Sequence, residues 1–84
     1  SYTFDKSFLD YTKAVERGEY EKAFELSKKY LNHSNKGVAA RAHINCAVMC
    51  EVLGRKEEIL PYLQKVQGYY KWMAEDMLKD YGPK

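Results

Sequence analysis

The stretch Arg41–Leu63, RAHINCAVMCEVLGRKEEILPYL, reads as two helices set back to back around Gly54. The first of them, expected over about Val38–Leu53, has two useful faces. His43, Cys46, Ala47, Cys50 and Gly54 line one, and Arg41, Asn45, Val48 and Val52 line the other. Gly54 ends that helix, and the next starts near Lys56. Pro61 falls early in it, where a missing N–H costs less than in mid-helix, with a slight kink expected. The residues upstream of this stretch look like a weaker copy of it, and those downstream look like a lid.

Upstream, Phe4, Phe8, Tyr11 and Val15 recur at the spacing of one helical face. Asp5 or Ser7 is the expected cap of this first helix, and Gly18 ends it by supplying a left-handed residue. A second helix is expected over about Glu19–Leu31, burying Tyr20, Ala23, Phe24, Ser27, Tyr30 and Leu31. Its acids lie near the start and its bases near the end, matching the helix dipole. Asn32–Gly37 is a turn by composition.

Downstream, Ile59, Leu63, Val66, Tyr70, Met73, Met77 and Tyr81 keep helical spacing without a slip, which favours one continuous helix. Geometry favours a break. The third helix spans roughly 24 Å at 1.5 Å per residue. An antiparallel partner running on to Tyr81 would overhang it and expose Met73, Met77 and Tyr81. The expectation is therefore a break near Gly68 and a short fifth helix, Tyr69–Tyr81, folded over the end. No alternating run rich in Val, Ile and Thr reads as a strand.

A chain of 84 residues with 45% apolar content can build one small domain with a thin core. A formal charge of +2 does not by itself imply nucleic acid or an acidic membrane. No run approaches the ~18 apolar residues a spanning helix needs, and no signal-peptide pattern opens the chain. It begins at Ser1 rather than Met, so the expectation is an excised or processed domain from which any targeting segment has been removed. Cys46 and Cys50, four apart on one helical face, are poorly placed for a disulfide and read as reduced thiols in a cytoplasmic setting. Eight tyrosines suit both a small core and a recognition surface.

Gly18-Glu-Tyr20-Glu-Lys-Ala23 recurs as Gly54-Arg-Lys56-Glu-Glu-Ile59, 36 residues later. A fixed period of this size, each unit a helix–turn–helix, marks an α-solenoid. The segment Phe8–Val66 resembles the tetratricopeptide repeat (TPR) family. The family's first-helix signature falls on His43, Cys46, Ala47 and Cys50, its turn on Gly54, and its second helix on Ile59, Leu63 and Val66. The first unit matches in Gly18, Tyr20 and Ala23, and in Phe8, Tyr11, Thr12 and Val15 after a shift of one residue. His43 and Lys56 stand where the family has aromatic residues. The resemblance implies an all-α solenoid: a repeat over about 5–33, a second over about 37–67, and a capping helix over about 69–81.

In TPR-like folds the outward face of each first helix lines a concave groove. That implies a partner-binding surface of Lys6, Leu9, Asp10 and Lys13 with Arg41, Asn45, Val48 and Val52. Asn45 would bond the backbone of a protein or peptide and the cations an acidic group. Some family members clamp a terminal carboxylate, but Leu9 stands where such a clamp has lysine. Tyr69, Trp72, Met73 and Met77 in the last helix exceed what one buried face needs, and give a second reading, homodimerisation. A third is nucleic acid, on a basic edge of Lys28, Lys29, His33, Lys36 and Arg41. That edge carries no interleaved aromatic platform. His43, Cys46 and Cys50 share one face but have no fourth ligand, so packing outweighs a metal. No phosphate loop, G-x-S-x-G or H-E-x-x-H appears, and paired acids such as Glu57–Glu58 and Glu75–Asp76 diverge on a helix. The expectation is a non-enzymatic, cytoplasmic protein-binding scaffold without cofactors.

Overall fold

The computed structural model describes residues 2–81, with side chains described from Lys6 onward apart from Ser7 and Tyr69. Among these residues the fold is all-α, with no strand. Five helices run in order: α1 (Tyr2–Glu16), α2 (Tyr20–Lys28), α3 (Lys36–Val52), α4 (Ile59–Gln64) and α5 (Lys71–Tyr81). Short 3-10 turns, Lys56–Glu58 and Gly68–Tyr70, lead into the last two. The backbone already turns as helix at Asp5 and Ser7, so neither opens α1. The Phe4 side chain, counted on the inward face of this helix, lies outside the described residues.

Each helix packs against the next, and α3 also meets α1 and the Gly68–Tyr70 turn. The Cα envelope measures 38 × 28 × 17 Å, which leaves room for about two layers of helix. α3 is the central element. Val38, Ala42, Met49 and Asn45 are buried on one side and Ala40, Ile44, Cys46, Ala47 and Cys50 around the rest. A helix apolar on so many sides is covered by several neighbours. Its small residues let α2 and α4 approach closely. Ala14 of α1, Ala23 and Phe24 of α2, Ile59 and Leu63 of α4, Val66 just beyond it, and Ala74 of α5 complete the core.

The two turns 36 residues apart are built alike. Gly18 and Gly54 have φ of 71° and 76°. The Glu19 N–H donates to the Ala14 carbonyl at 2.9 Å and the Gly18 N–H to that of Val15 at 2.9 Å. The Arg55 and Gly54 N–H groups bond the carbonyls of Cys50 and Glu51 in the same way, at 2.7 and 3.1 Å. These are paired Schellman motifs, which satisfy the last carbonyls of α1 and α3. A Cβ built on Gly54 meets nothing within 4 Å, so a side chain there is opposed by backbone conformation alone. Gly54→Ala is expected to cost about 1–2 kcal/mol in chemical denaturation. D-alanine at the same position should restore most of it, which separates conformation from packing.

Helix ends differ from the sequence expectation in several further places. α2 stops at Lys28 because the next amides bond three residues back, Lys29 to Leu26, Tyr30 to Ser27 and Leu31 to Lys28, and unwind the end. α3 starts at Lys36 because Asn35 caps it, its Oδ1 accepting from the Val38 N–H at 3.1 Å. The fourth helix enters through a 3-10 turn, and Pro61 then sits in its first turn. The break near Gly68 is present. Gly68 has φ 72° and separates α4 from α5, which begins at Lys71 rather than Tyr69 because Gly68–Tyr70 form a 3-10 turn. No described helix is long and apolar enough to cross a membrane.

Candidate functional site

Arg41 lies half-buried on α3, where α1 and the Gly68–Tyr70 turn both approach it. Its Nε donates to Asn45 Oδ1 at 3.3 Å, one helical turn along. Its guanidinium carbon stands 4.6 Å from the Phe8 ring centroid and 5.9 Å from that of Tyr70. The cation is thus held between a ring of α1 and a ring of the last turn, at contacts worth about 0.5–2 kcal/mol each. Tyr11 packs beside Phe8, with centroids 6.4 Å apart. Burial raises the Tyr11 pKa and the Arg41 charge pulls it back, so the phenol keeps its proton as a donor within reach of Arg41's field.

Arg41 forms no ion pair among the described residues, whereas other cations do. Lys6 pairs with Asp10 at 3.6 Å, Lys28 with Glu25 at 3.2 Å, and Lys79 with Asp76 at 3.4 Å. Arg55 Nη2 donates to both carboxylate oxygens of Glu21 at 2.8 Å, which ties the entrance of α2 to the exit of α3. A guanidinium held in shape and left without a carboxylate is a ready site for one.

The expected groove residues separate into two groups. Arg41, Val48 and Val52 form a continuous strip on α3, Val48 half-buried and Val52 exposed. Asn45 differs from expectation. It is only 7% exposed, and its carbonyl orients Arg41 rather than standing open to a ligand. On α1, Lys6, Leu9 and Lys13 are exposed, Leu9 by 50%, but they lie roughly 100–160° around the helix from Phe8. The face of α1 that meets Arg41 therefore carries Phe8 and Tyr11, which the helical spacing assigned to the core. Asp10 is half-buried and holds Lys6.

On α5, Trp72 is 58% exposed, while Met73 and Met77 are half-buried against the core. The Tyr69 side chain lies outside the described residues. The expected basic edge is divided. Lys28 stands 4.9 Å over the Phe24 ring, Arg41 turns to Phe8, and His33 and Lys36 line a separate cleft. Cys46 and Cys50 are buried free thiols, and His43 bonds the Ala39 carbonyl through Nδ1 at 2.8 Å. Among the described residues no group of three or more His, Cys, Asp or Glu is placed to hold a metal ion.

Residues 10–82 match the family described as a domain of unknown function, DUF6340, and the chain belongs to that family. No curated protein and no solved structure matches it.

Proposed function

We propose that this member of the DUF6340 family is a non-enzymatic protein-interaction module that holds an acidic peptide along α3. In this reading the chain is a short TPR-like solenoid, two hairpins closed by α5. The matched Gly18 and Gly54 turns and the packing of each helix on the next support that arrangement. The observation that carries the function is Arg41, fixed by Asn45 between Phe8 and Tyr70 and without an acidic partner among the described residues. A peptide lying over Val48 and Val52 places a carboxylate against the guanidinium, and the two rings shield the pair from water. Shielding makes the pair worth more than an exposed one.

The test is selection from a peptide library, then affinity measurement on variants. Selected peptides should carry a side-chain or terminal carboxylate. Arg41→Glu should weaken them by roughly tenfold to a hundredfold, equal to about 1.4–2.8 kcal/mol, with an unchanged helical spectrum. Arg41→Lys should also weaken them, because a point charge replaces a planar fork held between rings. Peptides that bind Arg41→Glu as well as the native chain would sink this reading. Exposed Trp72 favours a second reading, self-association through α5. Light scattering on the same samples decides between them, since a native dimer that Trp72→Ala dissociates assigns the function to α5 instead.

A further inference from the structure

A second concavity lies on another side of α3. The turn between α2 and α3 and the segment joining α4 to α5 border an open cleft of about 630 Å³. That volume falls in the usual ~300–1,000 Å³ range of small-molecule sites. Four basic side chains line it: His33 and Lys36 from the turn and the start of α3, His43 from one face of α3, and Lys65 from the end of α4. No described lining residue is acidic. Leu31, Ala39 and Ala40 give it an apolar floor. His43 and Arg41, two residues apart, point about 200° apart around the helix, so the cleft and the Arg41 strip are separate surfaces.

The donors are arranged by local chemistry. The Asn35 N–H donates to His33 Nδ1 at 2.9 Å, so a neutral His33 carries its proton on Nε2. His43 has the opposite tautomer. Its Nδ1 faces the Ala39 carbonyl, which can only accept, so Nε2 becomes a donor when the ring is protonated. Asn35 caps Val38. The first-turn amides of Lys36 and Gly37, both residues of the lining, have no acceptor among the described residues. Two fixed cations, two imidazoles and the positive end of a 17-residue helix then converge on one volume.

We propose that this cleft binds a phosphorylated small molecule, with Lys36, Lys65 and His33 on the phosphate and the Leu31–Ala40 floor under an apolar or planar body. A phosphate offers acceptors in several directions to donors coming from three elements, where a carboxylate offers two oxygens in one plane. This site is independent of peptide binding at Arg41.

The experiment is a titration of the ¹⁵N-labelled chain with inorganic phosphate, adenosine monophosphate and acetate. Phosphate should give saturable shifts confined to Lys36, Gly37 and Gly68 amides and the two imidazoles. The nucleotide should bind tighter than phosphate, and acetate weaker. Lys36→Glu/Lys65→Glu should weaken phosphate by at least ~tenfold, while Lys79→Glu, the same kind of charge reversal on α5, leaves it unchanged. Because both lysines are exposed, the double variant keeps its fold, which the unshifted remainder of its spectrum verifies. Shifts that never saturate, shifts spread equally over every lysine, or equal affinity for acetate would each overturn the proposal.

Discussion

Phe24→Ala is expected to remove about 3–5 kcal/mol of stability, the cost of deleting a fully buried aromatic side chain and leaving part of its cavity. A chain of this length has roughly 4–13 kcal/mol in all, so the variant is left near its folding limit. The midpoint of thermal unfolding should fall by roughly 15–30 °C. Phe24 is 2% exposed and packs in the core shared by α2, α3 and α4. Its ring meets Tyr62 of α4 edge-on, centroids 6.1 Å apart at 87°. It also carries two cations on its outer side, Lys28 at 4.9 Å and Arg55 at 5.2 Å. Arg55 is the residue that bonds Glu21, so the ring holds up the only long-range ion pair among the described residues. Truncating the ring therefore loosens the α2–α3 connection as well as the core. Phe24→Leu, which keeps most of the volume, should cost far less. A loss under about 1.5 kcal/mol for Phe24→Ala would mean that α2 repacks freely and that the core is not specified at this point.

Phe24, Ala23, Ile59 and Leu63 were legible as core in the sequence because helical spacing is a direct consequence of one-sided burial. The turns were legible for an equally local reason. A glycine at the end of an apolar period is the cheapest residue for a positive φ, and Gly18, Gly54 and Gly68 all adopt one. The break at Gly68 could be read from length, since a continuous helix would have overhung α3. Periodicity was misleading at Tyr30 and Leu31. Leu31 packs against the core, but from a turn in which the amides bond three residues back. Side-chain burial persists there after the α-helix has ended.

The candidate site was legible only in part, because it depends on how separate helices are rotated about their axes. Arg41 and Asn45 sit four apart, so their meeting could be read from one helix. Matching α1 to the repeat with a one-residue shift could not fix its rotation. One residue is about 100° of helix, enough to bring Phe8 and Tyr11 rather than Leu9 and Lys13 against α3. Tyr70 likewise joins Arg41 only because the chain turns at Gly68. Sequence periodicity cannot distinguish an aromatic that fills a core from one that stacks on a half-buried cation, since both occupy the inward face. The depth of Asn45 was hidden for the same reason. It reads as groove-lining from its own helix, and its neighbours in the fold cover it.

Alkaline pH should unfold the native chain through Cys46, and Cys46→Ala should remove much of that sensitivity. The Cys46 thiol is fully buried on α3, and desolvation, with the neighbouring Cys50 as the next cause, raises its pKa from 9.0 to about 12. The folded state therefore holds this proton more tightly than the unfolded state does. Below pH 9 both states are protonated and the thiol's contribution is fully present. Between pH 9 and about 12 the unfolded chain releases the proton first, so stability falls as pH rises. The slope is about 1.4 kcal/mol per pH unit for one such group. Burial raises Cys50, Tyr11 and Tyr62 as well, so a smaller decline from the second thiol and the phenols survives in the variant. At neutral pH the missing sulfur leaves a small cavity, and Cys46→Ala should be about 1 kcal/mol less stable than the native chain. The two stability curves should then converge above about pH 9 and cross before about pH 11 as the native chain loses ground. Parallel curves across that range would show that the thiol ionises as easily in the folded chain as in the unfolded one. The same burial keeps the group a neutral thiol, which makes it a packing residue of the α2–α3–α4 core rather than a nucleophile.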